Sequence, residues 1–224
     1  MRMFSFENIV NSLTRYFLFY GVRAIVWDVD GTLWQSQAVD KKLLDAHIKF
    51  ALQYRLPGIN KARVFKLFGK SGDWLGLTHK LTDKPRREII SWIEKNVRKS
   101  ELISPNHGIV NFVENFPDLD HYILTNSSLP VTREVLLKLG FQKKLGLEFH
   151  PFKKIFNYES TGIFKPNLRC FLAIIRHTGL KPSQHLMVGN SDTQDVKPAL
   201  ASGMKAVHIK RLKELYVHTN AFML

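Results

Sequence analysis

The chain has 224 residues, 45% of them hydrophobic, which allows one large domain or a core domain with a small insert. Its formal net charge of +14 points to anionic partners such as phosphate esters, nucleic acid or acidic lipid, and carries no information about fold. A single cysteine, Cys170, excludes a disulfide framework or thiolate cluster within one chain, and no apolar run of about 18 residues is present to span a membrane, so a cytoplasmic protein is expected.

Residues 6–20 place Phe6, Ile9, Val10, Leu13, Tyr16, Phe17 and Tyr20 at helical spacing, predicting an amphipathic helix in the N-terminal segment 1–21. Glu7, Asn8, Asn11, Ser12 and Arg15 break its apolar character and argue against a secretory signal. Such a helix packs on the core, or alternatively serves as an oligomer contact or lies on a lipid surface. Gly21 ends it, and "VRAIVWD" reads as a strand apolar enough to be buried on both faces.

Beyond residue 36 the pattern becomes helical. One repeat carries Leu44, Ile48, Ala51, Leu52 and Arg55, the next Val64, Leu67 and Phe68, and a third Ile89, Ile90, Ile93 and Val97. Pro57-Gly58, Gly69, Gly72 and Pro85 punctuate them. From Lys41 to Lys99 there are fifteen Lys or Arg against five Asp or Glu, a balance of +10, so most of the chain's excess charge sits there.

From about residue 108 helix and strand alternate: "IVNFVENF", "HYILTN", "VTREVLLKLG", "KIFNYES", "LRCFLAIIRHTG", "HLMVGN", "DVKPALASG" and "KAVHIK". This predicts an α/β fold whose core is a Rossmann-like parallel sheet made of residues 1–36 and 105–224, interrupted by an all-helical insert over 37–104.

In open parallel sheets ligands bind outside the carboxyl ends of the strands. Four polar groups fall at such places: Asp28 and Asp30 with Gly31 and Thr32, then Thr125-Asn126-Ser127, then Lys165-Pro166, then "VGNSDTQDV". In this order they resemble the motifs of the haloacid dehalogenase (HAD) superfamily, and the insert looks like that superfamily's helical cap. The resemblance spans about residues 22–210.

The resemblance implies a phosphoric monoester hydrolase in which Asp28 attacks phosphorus to form an aspartyl-phosphate, while Asp30 protonates the leaving group and then activates water. Gly31, Thr32, Thr125, Asn126 and Lys165 are then the expected phosphate-binding set. The implied cofactor is Mg²⁺, held by the Asp28 carboxylate, the Asp30 carbonyl and the first acidic residue of the last motif. That residue is Asn190 here, which removes one negative charge, and Asp195 takes the second acidic place. Asn190 is expected to ligate directly or through water, with Asp195 orienting Lys165 or a metal-bound water. Asp192 reads equally as a helix N-cap or a site residue.

Phosphoryl transfer needs an in-line nucleophile, a proton donor and positive charge around the equatorial oxygens, and these residues supply all three. The expected substrate is a small phosphate ester such as a nucleotide or sugar phosphate, with the basic insert closing over it. Trp34, Trp74, Phe68 and Trp92 read as stacking surfaces for a base or as core. His121 and His208 read as core or surface residues, and "GKSGDW" lacks the context of a phosphate loop. Competing readings are a phosphomutase, a dehalogenase, and a non-catalytic nucleic-acid or partner-binding module, the last supported by Asn190 and the net charge.

Overall fold

The computed structural model describes residues 21–142, 149 and 151–210; the N-terminal helix expected over 6–20 lies outside them. The chain divides into two compact units, one containing residues up to Gln35 and from Ser104 onward, the other Ser36–Ile103.

The first unit holds a five-stranded sheet of order β3-β2-β1-β4-β5, with every neighbouring pair parallel. The strands are β1 (Ala24–Trp27), β2 (Asp120–Leu124), β3 (Phe152–Phe156), β4 (His185–Gly189) and β5 (Lys205–His208). β1 is the central strand. All four of its residues are buried, because helices cover both faces of a parallel sheet.

On one face Ala24, Val26, Tyr122, Leu124 and Met187 pack with Cys170, Phe171 and Ile174 of the helix Leu168–Thr178 and with Ala199 of the helix Lys197–Ala201. Cys170 is thus a core thiol. On the other face Trp27 meets Phe112, from the helix His107–Glu114, edge to face. The Trp27 Nε1–H donates to His121 Nδ1 at 3.0 Å, and His121 Nε2 lies 3.0 Å from the Phe116 carbonyl. His121 is therefore a neutral core histidine protonated on Nε2, its Nδ1 tying β2 to β1 and its Nε2 tying β2 to the turn at Phe116.

Two expected boundaries move. β3 begins at Phe152 and stops at Phe156, because Asn157 caps the next turn: its Oδ1 accepts from Ser160 N at 3.1 Å, and Ser160 Oγ accepts from Asn157 N at 3.0 Å. A reciprocal cap of this kind competes with continuation of the strand. After β4 the chain winds through a π-helical turn, Asp192–Val196, before the helix Lys197–Ala201 begins.

The second unit contains four α-helices, α1 (Gln37–Tyr54), α2 (Lys61–Phe68), α3 (Trp74–Thr82) and α4 (Arg86–Asn96). Side chains of Ser36, Asn60 and Asp73 cap the first three by accepting backbone N–H bonds. α3 is an element the apolar periodicity did not predict, and Asp73 before "WLGL" was its available signal. Two small clusters hold the helices together: Ala46, Phe50, Ile89, Ile93 and Val97, and Ala51, Val64, Phe68 and Leu81. Phe68 belongs to the second cluster, and Trp92 and Trp74 pack against the first and second respectively, so these aromatics serve as core.

Candidate active site

Asp28 continues the ladder of β1, its N–H donating to the Val188 carbonyl at 2.9 Å. The chain then folds into a tight turn in which Thr32 N and Leu33 N both donate to the Val29 carbonyl, with Gly31 at φ +85°. Gly31 is required for a second reason. A Cβ there would run into the side-chain amide of Asn190, which reaches over from the end of β4.

The carboxyl ends of the strands bring Asp28, Lys165 and Asp195 together, each at most 4% exposed. Lys165 Nζ donates to Asp28 Oδ1 at 2.7 Å and to Asp195 Oδ1 at 2.6 Å. Burial pushes the Asp28 carboxyl up to about 7 against the pull of the Lys165 ammonium, and Asp195 and Asp30 add repulsion. Burial alone would lower the Lys165 pKa, but the two carboxylates more than offset it and hold Lys165 charged. One ammonium is shared between the two buried carboxyl groups, and Asp28 is short of positive charge around it.

Asp195 is a brace. Its Oδ1 takes Lys165 and its Oδ2 accepts from Ser191 N at 3.0 Å. Gly189 is needed because a Cβ there would collide with the Asp195 side chain. Both oxygens of Asp195, a residue expected in the metal site and as the group orienting Lys165 or a metal-bound water, are thus engaged by Lys165 and the loop after β4.

Two of the expected phosphate-binding residues also have side chains engaged within the protein. Thr32 is fully buried, and its hydroxyl donates to Asp28 Oδ2 at 2.9 Å, so it orients the carboxylate. Asn126 spends its side chain on the Lys165 segment: Oδ1 accepts from Lys165 N at 2.8 Å, and Nδ2 donates to the Lys165 carbonyl at 3.2 Å and to Gln194 Oε1 at 3.3 Å. Thr125 is buried at the end of β2, its Oγ1 accepting from Ser127 N at 3.1 Å. Asp192 is neither a cap nor part of this cluster. It pairs with Lys197 at 2.6 Å, and Ser191 caps the turn by accepting from Gln194 N at 3.2 Å.

The Asn190 amide turns one terminal atom toward the Asp30 carbonyl, at 3.2 Å, and toward Asp28 Oδ2, at 3.3 Å. As nitrogen that atom donates to both. With the amide turned over, its oxygen would join the Asp30 carbonyl and Asp28 Oδ2 as a third oxygen donor. Carboxylate, carbonyl and amide oxygens at this spacing are the donor types that fit a hard divalent cation such as Mg²⁺. The His208 ring, at the end of β5, supports this corner with Nε2 2.9 Å from the Asn190 carbonyl.

Ser127 was visible in the sequence only as part of a polar strand end, and the structure gives it a specific contact. Its Oγ donates to Asp30 Oδ2 at 2.7 Å. Gln194 and His208 are further supporting residues that no motif spacing singled out.

The comparisons agree with this geometry. The family model described as haloacid dehalogenase-like hydrolase matches residues 22–203. A glyceraldehyde 3-phosphate phosphatase of Methanothermobacter thermautotrophicus is 23% identical over 199 residues, covering 83% of this chain and 84% of that protein. One of the same name from Methanocaldococcus jannaschii is 25% identical over 212 residues, covering 86% of each. Among solved structures, a HAD hydrolase from Bacillus subtilis bound to magnesium superposes with a TM-score of 0.51 at 19% identity, covering 89% of this chain and 99% of that one. A parallel sheet of this order, with its polar strand ends gathered around Lys165 and the family model spanning them all, leaves one assignment: the chain belongs to the haloacid dehalogenase-like hydrolases.

Proposed function

We propose that this hydrolase is a Mg²⁺-dependent phosphatase acting on small phosphate monoesters of the sugar-phosphate class. The observation that carries the reading is the placement of Asp28, buried at the end of the central strand with Oδ1 on Lys165 and Oδ2 on Thr32. An oriented carboxylate of this kind is poised as a nucleophile. Asp30, two residues on and held by Ser127, is the matching acid/base.

In the first half-reaction an Asp28 oxygen forms a bond to phosphorus, the phosphorus–oxygen bond to the leaving group breaks, and Asp30 delivers its proton to the departing oxygen. In the second, Asp30 takes a proton from water as that water attacks phosphorus, releasing inorganic phosphate and regenerating Asp28. Lys165 offsets charge on Asp28 and on the transferred phosphoryl group. Asp28 Oδ2, the Asp30 carbonyl and Asn190 Oδ1 are the proposed Mg²⁺ ligands. The bound ion would supply positive charge to the phosphoryl oxygens.

The named relatives support a triose-phosphate-sized substrate, and the basic balance of residues 41–99 supports an anionic one. A dehalogenase needs only the nucleophile, whereas Asp30 and the oxygen cluster around Asn190 support phosphate chemistry. Intact Asp28, Asp30 and Lys165 weigh against a purely binding role, since buried charges are expensive to retain without chemistry. No helix among the described residues is long and apolar enough to cross a membrane.

The test is phosphate release from glyceraldehyde 3-phosphate, glycerol 3-phosphate, a nucleoside monophosphate and p-nitrophenyl phosphate, with Mg²⁺ and with chelator. Metal-dependent release that Asp28→Asn lowers by about 10³-fold or more is expected. Release from none of the four overturns the reading.

A further inference from the structure

We propose that Ser127 is a positioning residue that aims Asp30 at the oxygen with which it exchanges its proton. The inference rests on the phosphatase reading above and deepens it. The contact is short, with Ser127 Oγ donating to Asp30 Oδ2 at 2.7 Å, and Ser127 itself is buried.

The Ser127 backbone that carries the hydroxyl is held on both sides. Ser127 N donates to Thr125 Oγ1 at 3.1 Å, and the Ser127 carbonyl accepts from Asn157 Nδ2 at 3.4 Å. Asn157 is in turn held in its reciprocal cap with Ser160, and its Nδ2 also donates to Glu159 Oε2 at 2.8 Å. The ends of β2 and β3 thereby place one hydroxyl against a carboxylate on the turn after β1. Asp30 is only partly buried and sits beside Gly31. The hydrogen bond gives the carboxyl one settled orientation and lowers the entropy lost in reaching a reactive geometry.

This role separates from a merely structural one by leaving group. An alkyl ester must leave as a protonated alcohol, and its cleavage depends on a well-aimed acid. A p-nitrophenolate leaves as a stable anion and does not. The rate constant kcat/KM reads only the steps through leaving-group departure, so it isolates the proton delivery by Asp30 from its later role toward water.

For Ser127→Ala, kcat/KM on glycerol 3-phosphate is expected to fall by about 10-fold or more while that on p-nitrophenyl phosphate falls by less than about 3-fold. Ser127→Thr, which keeps the hydroxyl, restores the alkyl ester. In an Asp30→Asn background Ser127→Ala has no further effect on the alkyl ester, as expected for two residues acting through one interaction. Should Ser127→Ala not fold, Ser127→Cys, nearly isosteric but a weak donor, carries the same comparison. Equal losses on the two esters, or no loss on either, overturn the proposal. Whichever alkyl ester of the four the wild type hydrolyses serves for this comparison, and a wild-type protein inactive on all four esters overturns the phosphatase reading instead.

Discussion

Asp195 Oδ1 lies 2.6 Å from the same Lys165 Nζ that stands 2.7 Å from Asp28 Oδ1, so two buried carboxylates share one ammonium. Removing Asp195 leaves Lys165 with half its charge partners and Ser191 N without its acceptor. Asp195→Ala is expected to destabilise the protein by about 3 kcal/mol in urea unfolding, at the low end for breaking a buried pair because Asp28 remains. Turnover should fall with it, and unchanged metal-dependent turnover would show that Lys165 needs no brace.

Asn190 stands between the Asp30 carbonyl and Asp28 Oδ2. Asn190→Asp adds a negative charge where a cation is proposed to bind, so Mg²⁺ affinity measured by calorimetry should rise by about 10-fold or more. The metal-free variant should melt lower than the wild type, because a carboxylate in place of the amide cannot donate to those two oxygens and repels Asp28. A variant with unchanged Mg²⁺ affinity would remove Asn190 from the metal site.

Gly31 combines φ +85° with the close approach of the Asn190 amide. Gly31→Ala strains the backbone and pushes Asn190 away, with an expected loss of about 1–3 kcal/mol of stability. Mg²⁺ affinity should fall as well. A pure backbone effect would lower the melting temperature and leave the Mg²⁺ titration unchanged.

A separate prediction concerns His47 in the helical unit. Its Nδ1 lies 2.8 Å from Thr78 Oγ1, whose own hydrogen goes to the Trp74 carbonyl at 2.7 Å, so Nδ1 carries the imidazole proton. Burial lowers the His47 pKa from 6.5 to about 4, and the charge on Lys99 adds to the effect. The unfolded chain therefore binds the proton first as pH falls. The stability His47 supports is fully present above about pH 6.5 and is lost as pH drops toward 4, by up to about 3 kcal/mol. Urea unfolding of wild type and His47→Gln between pH 7 and 4.5 checks this, since the variant should show the smaller loss over that range.

Much of the fold was legible from local pattern. The buried run before Asp28, the strand–helix alternation after residue 108 and the helical texture around residues 44–97 all rest on periodicity, a property of neighbouring residues. Boundaries were less legible where a side chain redirects the backbone, as at Asn157, or where a short helix lacks a clean apolar stripe, as between Trp74 and Thr82.

The site divides along the same line. Sequence by itself determined that Asp28, Asp30, Thr125, Lys165 and Asn190 stand at strand ends or before helices, because motif order and a parallel sheet send such residues to one edge. Only the tertiary structure decided which atoms meet. Thr32 and Asn126 turn their donors onto Asp28 and the Lys165 carbonyl, Asp195 backs Lys165, and Ser127 takes Asp30. Except for Thr32 with Asp28, those pairings join segments at least 30 residues apart in the chain, and every hydrogen bond depends on distance and direction in space, which neither spacing nor residue type encodes.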